Sequence, residues 1–156
     1  MKLKKLISLD KLFFMKRQII TACVFLHNEG KVLVGKRSNR KSFLPGKWEL
    51  PGGHVEFSET IGQCLKRELQ EEFKIDIILD KPYSEFTYVM NNGKDHVVEV
   101  LYFATMKNPN QKIELNRNEL DEYKWISKNE VDSYFKDNDD EGSVVRKGFE
   151  MLKTEK

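Results

Sequence analysis

Residues 52–75 read GGHVEFSETIGQCLKRELQEEFKI, a glycine doublet running into a segment that carries Glu68, Glu71 and Glu72. Pro51, Gly52 and Gly53 follow the short apolar run at 48–50. This predicts a strand ending in a tight turn, where only glycine lets the backbone approach a ligand closely. Ser58 reads as an N-cap and Glu59 as an acid in the first turn. Apolar residues at 61, 64, 65, 69 and 73 recur at the spacing of one helical face, so a helix is expected over 59–74.

At roughly 100° per residue, Glu68 and Glu72 project within the arc of Ile61 and Leu65, with Glu71 at its edge. Gln63, Lys66, Gln70 and Lys74 take the opposite side, where a solvated helix keeps its charges. Carboxylates crowded on a partly desolvated side raise one another's pKa unless a cation neutralises them. A divalent metal is the simplest such cation. Oxygen ligands suit Mg²⁺ or Mn²⁺, and Mg²⁺ binds through a few carboxylates, retained waters and substrate phosphates, so phosphate chemistry is the leading inference. Arg67, beside Glu71, either orients these carboxylates or shields their charge. An isolated REL-x-EE has a second reading, a surface helix laced with Arg/Lys to Glu pairs.

Gly53, five residues, Glu59, seven residues, then Arg67-Glu68-Leu69-Gln70-Glu71-Glu72-Phe73-Lys74-Ile75 resembles the Nudix box, G-x5-E-x7-R-E-U-x-E-E-x-G-U with U apolar. One position departs. Lys74 stands where the family has the glycine that closes the helix in a left-handed conformation. A lysine there either keeps that conformation at a cost of about 1 kcal/mol or the helix ends differently. The order of elements extends the likeness over about residues 17–150.

The resemblance implies an α/β fold, the Nudix α/β/α sandwich with a mixed central sheet, with residues 17–156 as one domain and 1–16 as an N-terminal extension. It implies that Glu68, Glu71 and Glu72, helped by the Gly53 carbonyl, hold Mg²⁺ (or Mn²⁺) against a substrate diphosphate, with Glu72 the most sensitive position. Arg67 and Glu59 complete the catalytic set, Glu59 as an orienting residue or as a base. The implied reaction cleaves the phosphoanhydride of a small-molecule nucleotide. The stretch GKWELPGGHVEFSET is similar to that of relatives acting on nucleoside triphosphates, including modified ones, with a nucleoside monophosphate and pyrophosphate as products. A nucleotide-sugar hydrolase is the alternative enzyme. A non-catalytic nucleotide sensor is the alternative from another class, although an intact carboxylate set exceeds what binding alone needs.

At 156 residues and 39% hydrophobic content the chain suits one domain with a sizeable core. A net charge of +2 argues against nucleic acid as an obligate partner. Cys23 and Cys64 form neither a disulfide framework nor a zinc pattern, so a reducing cytoplasm is expected. No segment reaches membrane-spanning length. Residues 1–16, MKLKKLISLDKLFFMK, are basic and apolar, but Asp10 and Lys11 interrupt the run and no small-residue cleavage site follows. They read as an amphipathic extension packed on the domain, or Met15 is the true start. The oligomeric state is left open, a homodimer included.

Along the chain, 18–26 and 31–37 form a hairpin about a turn at 27–30. Arg37 ends its second strand near the glycines; it is either an exposed strand-end arginine or, by the resemblance, a contact to substrate phosphate. The loop 38–47 borders the pocket with Phe43 and Leu44. Trp48 is a core residue or a base-stacking surface. His27, His54 and His96 lack ligand spacing; His54, adjoining the glycines, is the one placed to meet substrate. Residues 75–79 are a short strand, Pro82 a break, 84–90 and 96–106 a second hairpin about Asn91-Asn92-Gly93. Phe86, Tyr88 and Tyr102 pack a core or flank a nucleobase. A strand follows near 119–126, where Glu119 is a further ligand or base, or a surface glutamate. Ser127 to Glu130 has the form of a capping box opening a short helix to Phe135, residues 136–142 are acidic and mobile, and a last helix covers 143–153.

Overall fold

A computed structural model describes residues 16–154. The proposed N-terminal extension therefore lies, except for Lys16, outside the described residues. Strands β1 (Arg17–Asn28), β2 (Lys31–Arg37), β3 (Trp48–Glu49) and β4 (Gly52–His54) precede helix α1 (Ile61–Phe73). Then come β5 (Ile77–Met90), β6 (Asp95–Met106), β7 (Leu120–Ser127), a 3-10 turn (Lys128–Glu130), α2 (Val131–Tyr134) and α3 (Asp140–Thr154).

The described strands form one mixed sheet of order β3-β2-β1-β6-β5, with β4 on β1 and β7 on β2. β1 runs parallel to β6 from Arg17 through Leu26 and antiparallel to β4 and β2. Because strand side chains alternate, Ala22, Val24 and Leu26 face α1 while Cys23 and Phe25 face α3. Both faces are thus covered, giving two cores and an α/β/α sandwich. The α3 core is largely aromatic: the Phe25 ring lies 5.0 Å from Phe149 and 5.6 Å from Phe103, both edge-on. Gly148 permits this, since a Cβ there would sit 2.5 Å from the Phe25 ring. No helix among the described residues is long and apolar enough to cross a membrane.

Several boundaries differ from the sequence reading. Thr60, not Ser58, caps α1: its hydroxyl accepts from the Gln63 amide while the Gln63 side chain accepts from the Thr60 amide. Ser58 sits at φ 68° in a turn closed by a bond from the Glu59 amide to the Glu56 carbonyl, so residues 58–60 precede the helix. Gly52 and Gly53 belong to β4, paired with Cys23 and Ala22, rather than to a turn. Pro82 does not interrupt β5; it falls between two register shifts on an edge strand, where no ladder donor is required. The helix expected to reach Phe135 is a 3-10 turn plus a short α2, with the capping box of Ser127 and Glu130 formed as read. Residues 140–142, assigned to a mobile stretch, open α3.

Lys74 resolves its own alternative. It caps α1 at φ 58° and ψ 36°, its amide bonding the Gln70 carbonyl, while Ile75 bonds back to Leu69 at 3.4 Å. Chain geometry has kept the left-handed closure without the glycine. Lys74→Gly is therefore expected to raise the thermal midpoint by about 2–4 °C; an unchanged or lower midpoint in a melting curve refutes the strain at this cap.

Candidate active site

A cavity of about 1170 Å³ opens between β4, the acidic side of α1, the inner face of β1, β5 and β6, the 38–47 loop and the start of α3. Gly52, Gly53, His54, Arg67, Glu68, Glu71, Glu72, Arg37 and Glu119 all line it. Glu59 stands behind Arg67, off the cavity wall.

The glycine doublet works by two different close approaches. Gly52 adopts φ 153°, and a Cβ there would lie 2.1 Å from the Ala22 carbonyl oxygen, so it must be glycine for β4 to reach β1. Gly53 has an ordinary backbone, but a Cβ would fall 2.4 Å from Glu68 Oε1. The first glycine seats the strand and the second leaves room for a carboxylate.

Arg67 organises the acids beside it. Its Nε and Nη2 donate to Glu59 Oε1 at 2.8 Å and Oε2 at 2.9 Å, its Nη1 to Glu68 Oε1 at 2.6 Å, and Nη2 also to the His54 carbonyl at 3.0 Å. Glu71 Oε2 is a longer partner at 3.4 Å. The hydrogen bonds from Arg67, then the Glu56 amide, hold the Glu59 carboxyl down at about 2. Burial pushes Glu68 up, opposed by Arg67. Cys64 Sγ lies 3.3 Å from the His54 carbonyl and 3.7 Å from the Gly53 carbonyl, tying α1 to β4.

Glu72 has the opposite environment. Its residue is 8% exposed, and its Oε2 is buried with no hydrogen-bond partner. Burial, then the charges of Glu49 and Glu68, push its pKa well above the usual carboxylate range, opposed by the Gly52 amide. An orphaned carboxylate oxygen is costly, and among negative neighbours either a proton or a bound cation relieves it. The three box carboxylates are not closed into a cage. Among the described residues no three His, Cys, Asp or Glu side chains surround one point as a metal group. Mutual repulsion keeps such groups apart, and Arg67 draws Glu68 aside.

Arg37 does not stand free at the strand end: Nη1 contacts both Glu49 oxygens at 3.0 Å and Nε donates to the Phe43 carbonyl at 3.0 Å. Glu119 pairs with Lys41. His54 is exposed, and its carbonyl is the group engaged with Arg67. Trp48 is half-buried and packs edge-on against Tyr134 at 4.9 Å, on the margin of the α3 core. Phe86 and Tyr88 line the cavity with rings 6.1 Å apart, whereas Tyr102 packs on the α1 core.

Three further acids lining the cavity escaped the sequence reading. Glu99 accepts from Thr21 Oγ1 at 3.2 Å, and Glu141 accepts from the Leu50 amide at 2.6 Å. Burial raises both carboxyls, and raises Glu49 to about 7 against the pull of Arg37. Glu99 did carry a signal, a carboxylate in the buried register of Val97 and Leu101. Glu49 and Glu141 carried none, because only folding brings β3 and α3 together.

Mixed sheet, flanking helices and a carboxylate-lined cleft beside a glycine strand define an α/β/α domain with an acidic site. The NUDIX domain model matches residues 16–147, and the chain belongs to the Nudix family as a Nudix hydrolase. It is 30% identical over 125 residues to the nucleoside triphosphatase NudI of Klebsiella pneumoniae (strain 342), covering 76% of this chain and 88% of that protein. The NudI of Escherichia coli SE11 is 26% identical over the same length and coverage. Among solved structures, the MutT protein of Methanosarcina mazei Go1 superposes with a TM-score of 0.73 at 22% identity, over 88% of this chain and 96% of that one. The E. coli ORF135 protein gives 0.66 at 22%, over 91% and 94%.

Two outcomes follow from the site geometry. Gly52→Ala should lower the melting midpoint by about 5 °C or more, through a glycine-only conformation and a backbone clash, while Gly53→Ala should shift it by less than about 2 °C, because Glu68 can swing away. Equal losses contradict the two roles. Glu59, with its native pKa depressed, contributes stability above its ordinary value of 4.5 that is lost as pH falls toward about 2. In Arg67→Gln a carboxyl-carbon NMR titration should find Glu59 back near the ordinary value; a midpoint still near 2 rules out Arg67 as the cause.

Proposed function

We propose that this Nudix hydrolase is a Mg²⁺- or Mn²⁺-dependent pyrophosphohydrolase of nucleoside triphosphates, releasing a nucleoside monophosphate and pyrophosphate. The observation that carries the reading is the unpartnered, buried Glu72 oxygen beside Glu68 and the glycine strand on a cavity wall. A hard divalent cation fits that donor set, with Glu68, Glu71, Glu72 and the Gly53 carbonyl as the residues to hold it and Glu119 within the same cavity. When bound, such an ion supplies Lewis-acid polarisation of phosphate oxygens and a lowered water pKa.

The chain's own groups do the rest. Arg67 fixes Glu68 and Glu59, so the carboxylate positions are set before substrate arrives. Arg37, Lys41 and Lys47 line the cavity, each held by an acid, Glu49, Glu119 and Asp139 in turn. A polyphosphate entering between them exchanges these internal pairs for its own oxygens, which neutralises it without leaving bare cations in the free protein. Gly52 and Gly53 present backbone without side-chain bulk. Phe86, Tyr88, Phe43 and Leu44 offer apolar surface to the base and sugar. The NudI relatives, nucleoside triphosphatases by name, support a triphosphate over a nucleotide sugar.

The test is pyrophosphate release from a nucleoside triphosphate panel with Mg²⁺. Glu72→Gln should reduce kcat/KM by about 100-fold or more, and chelation of wild-type protein should abolish turnover until Mg²⁺ is restored. The same substitution separates binding from stability. The raised pKa means ion-free wild type loses stability as pH rises above the ordinary carboxylate range. At neutral pH without divalent ion, Glu72→Gln should therefore melt higher than wild type, and Mg²⁺ should stabilise wild type more than the variant. Unimpaired turnover of Glu72→Gln refutes the assignment.

A further inference from the structure

Glu99 is a buried acid that the reading above leaves without a role. It lies in the buried register of β6 between Val97 and Leu101, where an apolar side chain is the rule, and is 8% exposed. It nonetheless lines the cavity.

Strand register sets its surroundings. Across the sheet Glu99 stands between Phe86 of β5 and Thr21 of β1, and Thr21 in turn pairs with His54 of β4. Cross-strand partners share a face, so Phe86, Glu99 and Thr21 form one row on the cavity side. Tyr88 and Val97 form the next, and the Phe86 and Tyr88 rings lie 6.1 Å apart with 27° between their planes. A carboxyl is thus set beside an aromatic wall, the combination that receives a flat heteroaromatic ring and reads its hydrogen-bonding edge. Two strand spacings, about 10 Å, separate Glu99 from β4 and the glycines. A ribose and a phosphate fit between.

The hydrogen bonds decide which edge suits this wall. Glu49 gives both oxygens to Arg37 at 3.0 Å, and Glu141 accepts from the Leu50 amide at 2.6 Å. Glu99 takes the Thr21 hydroxyl through Oε2 at 3.2 Å, the longest of these contacts. The Thr21 and Leu50 donors are spent on the acids, so this wall offers acceptors to a ligand. A ring carbonyl turned toward it would set lone pairs against lone pairs, whereas an amino group brings the N–H that is missing.

We propose that Glu99 selects the base of the nucleotide, accepting an N–H from the exocyclic amino group of a ring laid against Phe86 and Tyr88, so that cytosine and adenine are preferred to their oxo counterparts uracil and hypoxanthine. The inference rests on the nucleotide reading above and adds the class of base to it. Burial opposes the ionised Glu99 carboxyl, while hydrogen bonds with Cys23 and Thr21 and the charge of Lys47 favour it. A further N–H from the base acts on the favourable side.

The test is kcat/KM with Mg²⁺ for two matched pairs, CTP against UTP and ATP against ITP, whose members differ at that one edge. Wild type should favour the amino member of each by about tenfold or more. In Glu99→Gln, a change that keeps the shape, the Thr21 hydroxyl holds the amide oxygen and turns the amide NH2 to the base, so the preference should vanish or reverse. A wild type that is indifferent, or that favours the oxo member, overturns the proposal whether or not the variant folds. A Glu99→Gln protein that slows both members of a pair equally also overturns it. Melting curves with CMP and with UMP, without divalent ion, separate this proposal from the hydrolase reading. If no triphosphate is turned over, the hydrolase reading fails, and base selection stands only if CMP raises the wild-type midpoint more than UMP does and the difference is lost in Glu99→Gln.

Discussion

Everything about the site depends on how closely β4 can approach its neighbours. Gly52 brings β4 within bonding distance of β1, and Gly53 leaves the space that Glu68 occupies. A side chain at 52 would hold the strand off the sheet, and one at 53 would displace the Glu68 carboxylate. Cys64 and Arg67 then reach back from α1 to the His54 carbonyl. Backbone proximity, not an attraction between acids, is what assembles carboxylates that otherwise repel.

That repulsion is handled unequally. Glu59 and Glu68 share the Arg67 guanidinium, a planar donor that serves two carboxylates and a carbonyl at once. Glu72 receives no such partner for Oε2 and sits where burial and neighbouring charge both oppose ionisation. One helix thus carries a satisfied acid, Glu68, and an unsatisfied one, Glu72, four residues apart. That contrast is what supports Glu72 as a ligand in the proposed metal site. Arg37, Lys41 and Lys47 follow the satisfied pattern, each resting on an internal acid.

Local rules failed where tertiary contacts outranked them. Ser58 has the right chemistry for a cap, yet Glu59 is drawn back toward Glu56 and Arg67, which displaces the helix start to Thr60. Pro82 is a breaker by propensity, yet an edge strand with register shifts accommodates it. The acidic run before Gly142 looks solvated, yet Asp140 and Glu141 open α3 and the Glu141 carboxylate bonds the Leu50 amide across the fold.

The match of residues 53–75 to the Nudix box pointed to the family, and by itself the sequence also determined the helix that carries the acids, the hairpins and the buried faces. These follow from spacing along one segment, and periodicities of 3.6 and 2 need no knowledge of distant residues. It also named the residues of the cavity's acidic wall. Only the tertiary structure decided which of those acids is neutralised and which is orphaned, that Arg37 rests on Glu49, and that Glu99 and Glu141 line the same cavity. The reason is that burial and charge pairing are set by groups far apart in the chain, as with Leu50 and Glu141, separated by 91 positions, and no local pattern records that encounter.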